Sequence, residues 1–303
     1  MFLIIFLYAL FASSILGSKI VLQYTQPIFL TGIRMFLGGI LLLSYQYFHP
    51  KQHFKFHIKH LKYYAQLVIF GIYITYILRH WALGHLPAFK TTFLYNLSPF
   101  LTSLYSYFFF KERMSRKQWI GLGIGLLGLV PILLSSSKGE ATMGEFLFIS
   151  WPELAVILSV AAHSYSWIVM RKLIRQKNYS PMMVNGISMT AGGILALATA
   201  PFFEGFAPIT SFWPFAGTLA FVILVSNIIC HNLYGHLLKS YTATFLSFAG
   251  FLSPLFAAFY EWALFSQTIS WHFYASSVIV LLGLFLFYQD ELLQPRLLIE
   301  EGE

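Results

Sequence analysis

Apolar segments of about 20 residues recur along the chain, and short breaks between them hold most of the charged residues. The hydrocarbon core of a bilayer is about 30 Å thick, so a helix needs about 20 apolar residues to cross it. Windows of that length occur from one end of the sequence to the other. They predict ten membrane-spanning helices, at residues 2–22, 27–48, 63–83, 88–110, 117–135, 152–172, 181–201, 215–236, 243–266 and 271–289.

These segments lack the alternation of apolar and polar positions that is typical of β-strands. Backbone groups in lipid must satisfy their own hydrogen bonds, which leaves helices and closed barrels as spanning structures. The composition points the same way, because 58% of the residues are hydrophobic and only 10% are charged, against about 25% charged in a soluble domain. We therefore expect an all-α, polytopic membrane protein.

The net charge of +8 arises from 19 Lys and Arg against 11 Asp and Glu. Most of the basic residues fall in the loops after the second, fourth and sixth predicted spans. Basic loops stay in the cytoplasm, so we expect both termini there and a bacterial inner membrane as the location. The bilayer is then the expected large partner, and nucleic acid, which needs a basic patch on a soluble face, is not expected. The first span lacks a cationic region before it, which favours a retained helix over a cleaved signal peptide.

The two halves of the sequence match when the chain is shifted by 154 or 155 residues. Matched pairs include Pro27 and Pro181, Gly32 and Gly186, Gly39 and Gly193, and Pro99 and Pro254. Five spans per half would insert the second copy upside down, which is the plan of many secondary transporters. The predicted organisation is a 5+5 inverted repeat, with a first repeat at 1–135, an external, mobile linker at 136–150, a second repeat at 151–290 and a cytoplasmic tail at 291–303.

Arg34 lies about two turns inside the second predicted span. A guanidinium at that depth costs roughly 2.5–3.5 kcal/mol on insertion scales unless it is paired or hydrated. One interpretation is a clamp for a substrate carboxylate, because arginine binds carboxylates through two parallel hydrogen bonds. The other is a structural tie to carbonyls of a neighbouring helix.

Several other polar side chains fall well inside the predicted spans. Polar residues at membrane depth usually face the interior of the bundle or a hydrated path. For each of them a hydrogen bond between helices is the alternative to a substrate contact, but together they predict a polar cavity. Beside Arg34, the predicted substrate-binding residues are Tyr95, Asn96, His163, Tyr165, Trp167, Asn227 and His231.

Prolines and glycines predict where helices bend and where they touch. Pro99 and Pro254 remove backbone hydrogen bonds inside two matched spans, so we expect kinks that serve as hinges or only as bends. Small residues in the fifth span favour close contact with its repeat mate, the tenth span, or with a second protomer. The predicted contact residues are Gly121, Gly125, Gly128 and Gly283.

Two segments, "PIFLTGIRMFLGGILLL" and "LSPFLTSLYSYFFFKERMSRKQWIGLGIGLLGLV", resemble the drug/metabolite transporter superfamily in its ten-helix EamA-type branch. The resemblance covers essentially the whole chain. Arg34 matches an arginine of the family's second helix, and Glu112 with the glycines after it matches the family's signature between the fourth and fifth helices. The second copy departs from the pattern with Ser188 and Gln267 at the corresponding positions, which implies unequal roles for the two halves.

Within that branch, the segment "LYALFASSILGSKIVLQYTQPIFLTGIRMFLGG" is similar to exchangers of S-adenosylmethionine and S-adenosylhomocysteine from obligate intracellular bacteria. The resemblance implies a secondary transporter that takes up the first compound in exchange for the second. Other members of the branch export amino acids, purines or drugs, so such an exporter is the alternative.

The distribution of the carboxylates favours exchange over proton coupling. Proton-coupled carriers generally keep an acid or a histidine relay at membrane depth, and only Glu261 falls clearly within a predicted span. His163 and His231 keep a proton route open. The alternatives of another class are a channel and a membrane-embedded enzyme, although neither HExxH nor GxSxG occurs. We expect a small-molecule substrate, no metal or other cofactor, and a monomer or homodimer.

Overall fold

The computed structural model describes residues 2–48, 57–111, 114–135, 138–177, 179–205, 209–230 and 248–292, together with positions 233, 234, 237 and 246. Helices account for most of this part of the chain. Its long helices are α1 (Phe2–Val21), α2 (Pro27–Phe48), α3 (Ile58–His85), α9 (Trp151–Arg171), α10 (Pro181–Glu204), α11 (Phe212–Cys230) and α13 (Trp271–Leu292).

Shorter helices lie between the long ones. They are α4 (Ala88–Leu94), α5 (Ser98–Phe110), α6 (Arg116–Leu127), α7 (Val130–Leu133), α8 (Lys138–Ala141) and α12 (Leu252–Phe265). An antiparallel hairpin of two short strands, β1 (Glu145–Phe146) and β2 (Ile149–Ser150), precedes α9. Wider π-helical turns occur within α3 at Leu67–Ile74, after α9 at Lys172–Gln176, and at the end of α11 at Ile223–Cys230.

Among the described residues, seven helices are long and apolar enough to cross a membrane. They coincide with seven of the ten predicted spans, and the window 27–48 matches α2 at both ends. The other three windows hold shorter helices: 88–110 divides into α4 and α5, 117–135 into α6 and α7, and 243–266 contains α12. Large apolar side chains such as Phe202 and Trp213 point away from the bundle and suit contact with lipid. The chain is therefore a helical membrane protein.

Pro99 and Pro254 each follow an irregular turn in a helical segment. A 3₁₀ turn at Tyr95–Leu97 separates α4 from α5, and Pro99 is in the first turn of α5. Pro254 is likewise in the first turn of α12. The first turn has no intrahelical partner for its N–H groups, so proline is tolerated there. The residues just before each proline keep right-handed helical dihedral angles, so the predicted kinks and hinges at Pro99 and Pro254 stay predictions.

The segment 136–150 differs from the expected mobile linker. In its described part, α8 and the hairpin fold back on the bundle, and Glu140 is buried with 2% of its surface exposed. Lys90 Nζ lies 2.7 Å from Glu140 Oε1 and 2.6 Å from Glu153 Oε1. An ion pair away from water holds its partners firmly, because separation would strand a buried charge. This cluster ties the linker to the starts of α4 and α9, at what we name the linker end of the bundle.

Two more carboxylates accept hydrogen bonds from the first backbone N–H groups of helices at the linker end. Glu261 of α12 binds Lys19 of α1 at 2.7 Å and accepts a hydrogen bond from the backbone N–H of Phe89 at 2.9 Å. Glu204, the last residue of α10, accepts from the N–H groups of Ile28 and Phe29. A carboxylate stabilises the first turn of a helix because it satisfies free N–H groups and faces the positive end of the helix dipole.

Helices α2 and α10 touch backbone to backbone through matched glycines. A Cβ on Gly39 would lie 2.5 Å from the backbone N of Thr190, and a Cβ on Gly193 would lie 2.4 Å from the backbone N of Phe36. Gly32 approaches α10 in the same way at Leu197. No larger residue fits at such a contact without moving a helix.

A second glycine contact joins α6 to α13. A Cβ on Gly121 would lie 2.6 Å from the backbone N of Phe287, and a Cβ on Gly283 would lie 2.5 Å from the backbone N of Gly125. Gly128, just after α6, is equally close to Val280. The neighbour of the glycine stripe is therefore the helix in the tenth predicted span.

The glycine contact between α2 and α10 predicts opposite effects for two alanine substitutions. Gly193→Ala should lower the free energy of unfolding by about 1–3 kcal/mol, since the methyl group meets the backbone of α2. Gly217→Ala in α11, where a Cβ meets open space, should raise it by up to about 1 kcal/mol because alanine favours helix. Denaturation in mixed detergent micelles measures both. Equal effects would contradict the contact.

The buried lysine cluster predicts a large loss of stability for Lys90→Met. This change strands Glu140 and Glu153 and should cost about 3–5 kcal/mol in the same assay. Lys59→Met, at an exposed lysine, should change stability by no more than about 0.5 kcal/mol. Adding Glu140→Gln and Glu153→Gln to Lys90→Met should recover part of the loss, and a triple variant no more stable than Lys90→Met would argue against the ion cluster.

Candidate functional site

Arg34 lies inside the bundle where α1, α2 and α11 meet. Its side chain is 4% exposed. Nη1 donates to the hydroxyl of Ser18 at 3.1 Å, and Nη2 donates to the hydroxyl of Ser226 at 3.0 Å. Nε is buried and has no hydrogen-bond partner. The guanidinium is thus held by neutral groups and keeps one donor free.

The carboxylates whose side chains the structure describes are all engaged elsewhere or exposed. Glu140 and Glu153 bind Lys90, Glu261 binds Lys19, and Glu204 accepts from the backbone at the start of α2. Glu145 is exposed in the hairpin. Within the part of the chain that the structure describes, no acidic side chain reaches Arg34. A buried cation without a counter-charge is costly, so this arrangement suits an anionic group supplied by a ligand.

A second arginine stands beside the first, on α3. The guanidinium carbon of Arg79 lies 4.3 Å from the centre of the Tyr76 ring and 5.5 Å from that of Tyr95. Arg34 reaches the same Tyr76 ring at 6.0 Å. Cation–π attraction accounts for these positions, but it does not neutralise charge. In the sequence Arg79 stands out only as a charge, and it is not among the predicted site residues.

His80 is the next residue on α3 and is fully buried. Its Nδ1 lies 2.8 Å from the hydroxyl of Thr31 on α2, and its Nε2 has no partner in the described structure. The sequence analysis misses this residue too. The signal is present, because Tyr76, Arg79 and His80 interrupt an otherwise apolar span.

The predicted residues Tyr95, His163 and Trp167 form a connected group. The ring centres of Tyr95 and His163 are 6.2 Å apart. Trp167 Nε1 donates to His163 Nε2 at 3.0 Å, and the Tyr95 hydroxyl is 2.5 Å from that of Ser159. His163 Nδ1 is buried without a partner. Through Tyr95 this group adjoins Arg79, so the cationic and aromatic parts are continuous.

Other predicted residues lie apart from this group. Tyr165 packs against Phe70, Tyr105 and Phe109, with ring centres 5.2–6.2 Å apart. Asn227 fills the space beside Gly38 on α2. Neither residue has a recorded contact with Arg34 or Arg79. The geometry therefore adds no support to the prediction that Tyr165 and Asn227 bind substrate.

Asn96 and His231 differ in what the structure says of them. Asn96 lies in the 3₁₀ turn between α4 and α5, and its Nδ2 is buried without a partner. His231 lies outside the described residues, as does Glu112 of the resemblance.

A cavity of about 580 Å³ opens at the linker end, away from the two arginines. Lys19, Lys90 and Glu140 line it together with the segment 266–270. Its lysines are paired within the protein. None of the predicted substrate-binding residues lines it, so it is a separate feature of the molecule.

Comparison with known proteins relates this chain to transporters. The EamA-like transporter family matches residues 1–134 and 150–289. The S-adenosylmethionine/S-adenosylhomocysteine transporter of Chlamydia muridarum is 33% identical over 98% of this chain and 94% of its own length. The protein of the same name from Chlamydia trachomatis serovar L2 is 31% identical over 98% of this chain and 92% of its own length.

One weaker sequence match and one solved structure of similar fold are also found. An uncharacterized transporter of Buchnera aphidicola is 25% identical over 84% of this chain and 82% of its own. A solved structure described only as "Crystal structure of protein" superimposes with a TM-score of 0.63 over 97% of this chain and 96% of its own, at 16% identity. The family matches and the near full-length relatives confirm the resemblance drawn from the sequence: the chain belongs to the EamA-like transporter family.

Proposed function

We propose that this protein is a secondary transporter that takes up S-adenosylmethionine in exchange for S-adenosylhomocysteine. The two chlamydial relatives of that name support this substrate pair. The observation that carries the proposal is Arg34, a buried guanidinium held by two hydroxyl groups with one donor free and no described carboxylate nearby. Both compounds bring a carboxylate, which is the group that this guanidinium lacks.

The rings beside the arginines suit the rest of the substrate. An adenine ring stacks on aromatic side chains, and a sulfonium is attracted to the face of a tyrosine. Tyr76, Tyr95 and His163 offer such faces next to the cations. The substrate would therefore lie with its carboxylate toward Arg34 and its base toward Tyr95 and His163.

The transport mechanism is alternating access by a ten-span 5+5 inverted repeat with the organisation 1–135, 136–150, 151–290 and 291–303. Symmetry of the glycine contacts supports this. A Cβ on Gly193 would meet the carbonyl oxygen of Gly32, and a Cβ on Gly39 would meet the carbonyl oxygen of Gly186. Gly39 and Gly32 become Gly193 and Gly186 when the chain is shifted by 154 residues, so the second contact is the repeat equivalent of the first. Gly128 with Val280 and Gly125 with Gly283 are related in the same way by 155 residues. Two halves related by a twofold axis in the membrane plane produce such reciprocal pairs.

Both termini face the cytoplasm of a bacterial cell in this proposal, and the linker end faces outward. The support is the concentration of Lys and Arg in the loops after the second, fourth and sixth spans. The three span carboxylates with described side chains, Glu153, Glu204 and Glu261, are all engaged in ion pairs or hydrogen bonds, which favours exchange over proton coupling. The protein acts as a monomer or homodimer without a cofactor.

Counterflow in proteoliposomes tests the function. Vesicles loaded with unlabelled S-adenosylhomocysteine should accumulate external labelled S-adenosylmethionine above its equilibrium level. Arg34→Ala should raise the half-saturating concentration roughly 10–100-fold, as expected for a lost charged hydrogen bond of about 1.5–3 kcal/mol, and Arg34→Lys should do so less. Arg116→Ala, at an exposed arginine, is the matched control.

The outcomes separate the alternatives. Accumulation of a labelled amino acid or purine with no effect of S-adenosylmethionine would indicate an exporter of those compounds. Flux that does not saturate would indicate a channel, and a chemically changed product an enzyme. Unaltered transport by Arg34→Ala would remove Arg34 from the site.

Single-cysteine labelling tests the orientation. Cys230 is buried and is first replaced by alanine. Leu147→Cys, in the exposed hairpin turn, should react with an impermeant maleimide on intact spheroplasts, whereas Lys177→Cys, exposed beyond α9, should react only after permeabilisation. Labelling of both from the same side would contradict an odd number of spans between them.

A further inference from the structure

We propose that Arg79 is a specificity-determining residue of the substrate site, and that with Arg34 it forms one carboxylate subsite that selects ligands by charge. The inference rests on the proposed function and extends it to residues of α3. Arg79 and Tyr76 are the new members of the site.

The two guanidiniums lie against one ring. Their central carbons are 4.3 Å and 6.0 Å from the centre of Tyr76, so they are roughly 10 Å apart or less, a distance at which like charges inside a protein repel appreciably. Two cations are held together only if other contacts compensate. The contacts that the structure shows are hydroxyl groups and tyrosine rings.

No described acid offsets either charge. The three ion pairs recorded in the described part of the chain all involve Lys19 or Lys90 at the linker end. The neighbouring His80 uses only its Nδ1 in a hydrogen bond, with the hydroxyl of Thr31. The cluster therefore holds two positive charges and a free buried donor on Arg34. One ligand carboxylate between the cations relieves their repulsion and satisfies that donor.

Charge selection follows from this excess. S-adenosylhomocysteine carries one carboxylate and one ammonium and is neutral overall, whereas the sulfonium gives S-adenosylmethionine one further positive charge. Like charges near a binding site disfavour the more cationic ligand. Cation–π contact with Tyr76 or Tyr95 offsets part of that penalty for the sulfonium. The wild-type protein should therefore bind S-adenosylhomocysteine more tightly than S-adenosylmethionine.

Binding to the purified protein in detergent tests the inference with three ligands: S-adenosylhomocysteine, its carboxamide analogue, and S-adenosylmethionine. In the wild type, replacing the carboxylate by the carboxamide should weaken binding about 10–100-fold. In Arg79→Gln that ratio should become at least about 3-fold smaller, because the ligand carboxylate and Arg79 act on each other, while Arg34 retains the remainder of the effect. The preference for S-adenosylhomocysteine over S-adenosylmethionine should also shrink.

Arg79→Lys keeps the positive charge, so it should keep most of the preference for the neutral ligand. This variant replaces Arg79→Gln in the comparison if Arg79→Gln does not fold. Arg116→Gln, at an exposed arginine, is the matched control. A merely structural Arg79 would weaken all three ligands equally, which would overturn the inference even though exchange is observed. Wild-type protein that binds neither natural compound would instead overturn the proposed function, and this inference with it.

Discussion

Buried positive charge must be neutralised, and the protein does this in two different ways. At the linker end, Lys90 and Lys19 are paired with carboxylates of the chain itself. Deeper in the bundle, Arg34 and Arg79 have hydroxyl groups and aromatic rings but no described acid. Removing an ion from water costs several kcal/mol unless a partner repays it. The lysines are therefore neutralised within the chain, whereas no described acid neutralises the two arginines.

The paired lysines and the unpaired arginines lie in different parts of the helical bundle. The Lys90 cluster joins α4, the linker and α9, while Glu261 joins α12 to α1 and the start of α4. These ties hold five elements together at one end of the bundle. The proposed substrate site is built from other residues, and the Nε of Arg34 there is buried without a hydrogen-bond partner. A stable end and a polar, incompletely satisfied centre suit a carrier whose centre must bind and release a solute.

Much of the fold follows from the sequence alone, because lipid imposes a length and a polarity on each helix. The window 27–48 predicts α2 with its observed bounds, and the small-residue stripe around Gly121 predicts a close contact, which α13 makes. The breaks near Pro99 are foreseeable in position only. Whether a proline bends one helix or begins a second depends on local hydrogen bonds that no pattern records.

The site is only partly predictable. Arg34, Tyr95 and His163 stand out as polar residues in apolar windows, and the structure brings them near one another through Tyr76 and Arg79. The same signal marks Arg79 and His80, which a charge count alone passes over. Tyr165 shows the opposite limit, since its helix position gives no hint that its ring joins an apolar aromatic group. The partner of Lys90 is hidden because Glu140 lies 50 residues away in the chain.

The glycine contact between α2 and α10 bears on kinetics as well as on structure. At Gly39 and Gly193 the two backbones touch directly, so a small change of tilt at these two points requires no side chain to change its rotamer. A methyl group at Gly193 or Gly39 would collide with the backbone of the other helix. Such a substitution would then lower the rate of the conformational change between the two access states without changing the affinity for the solute.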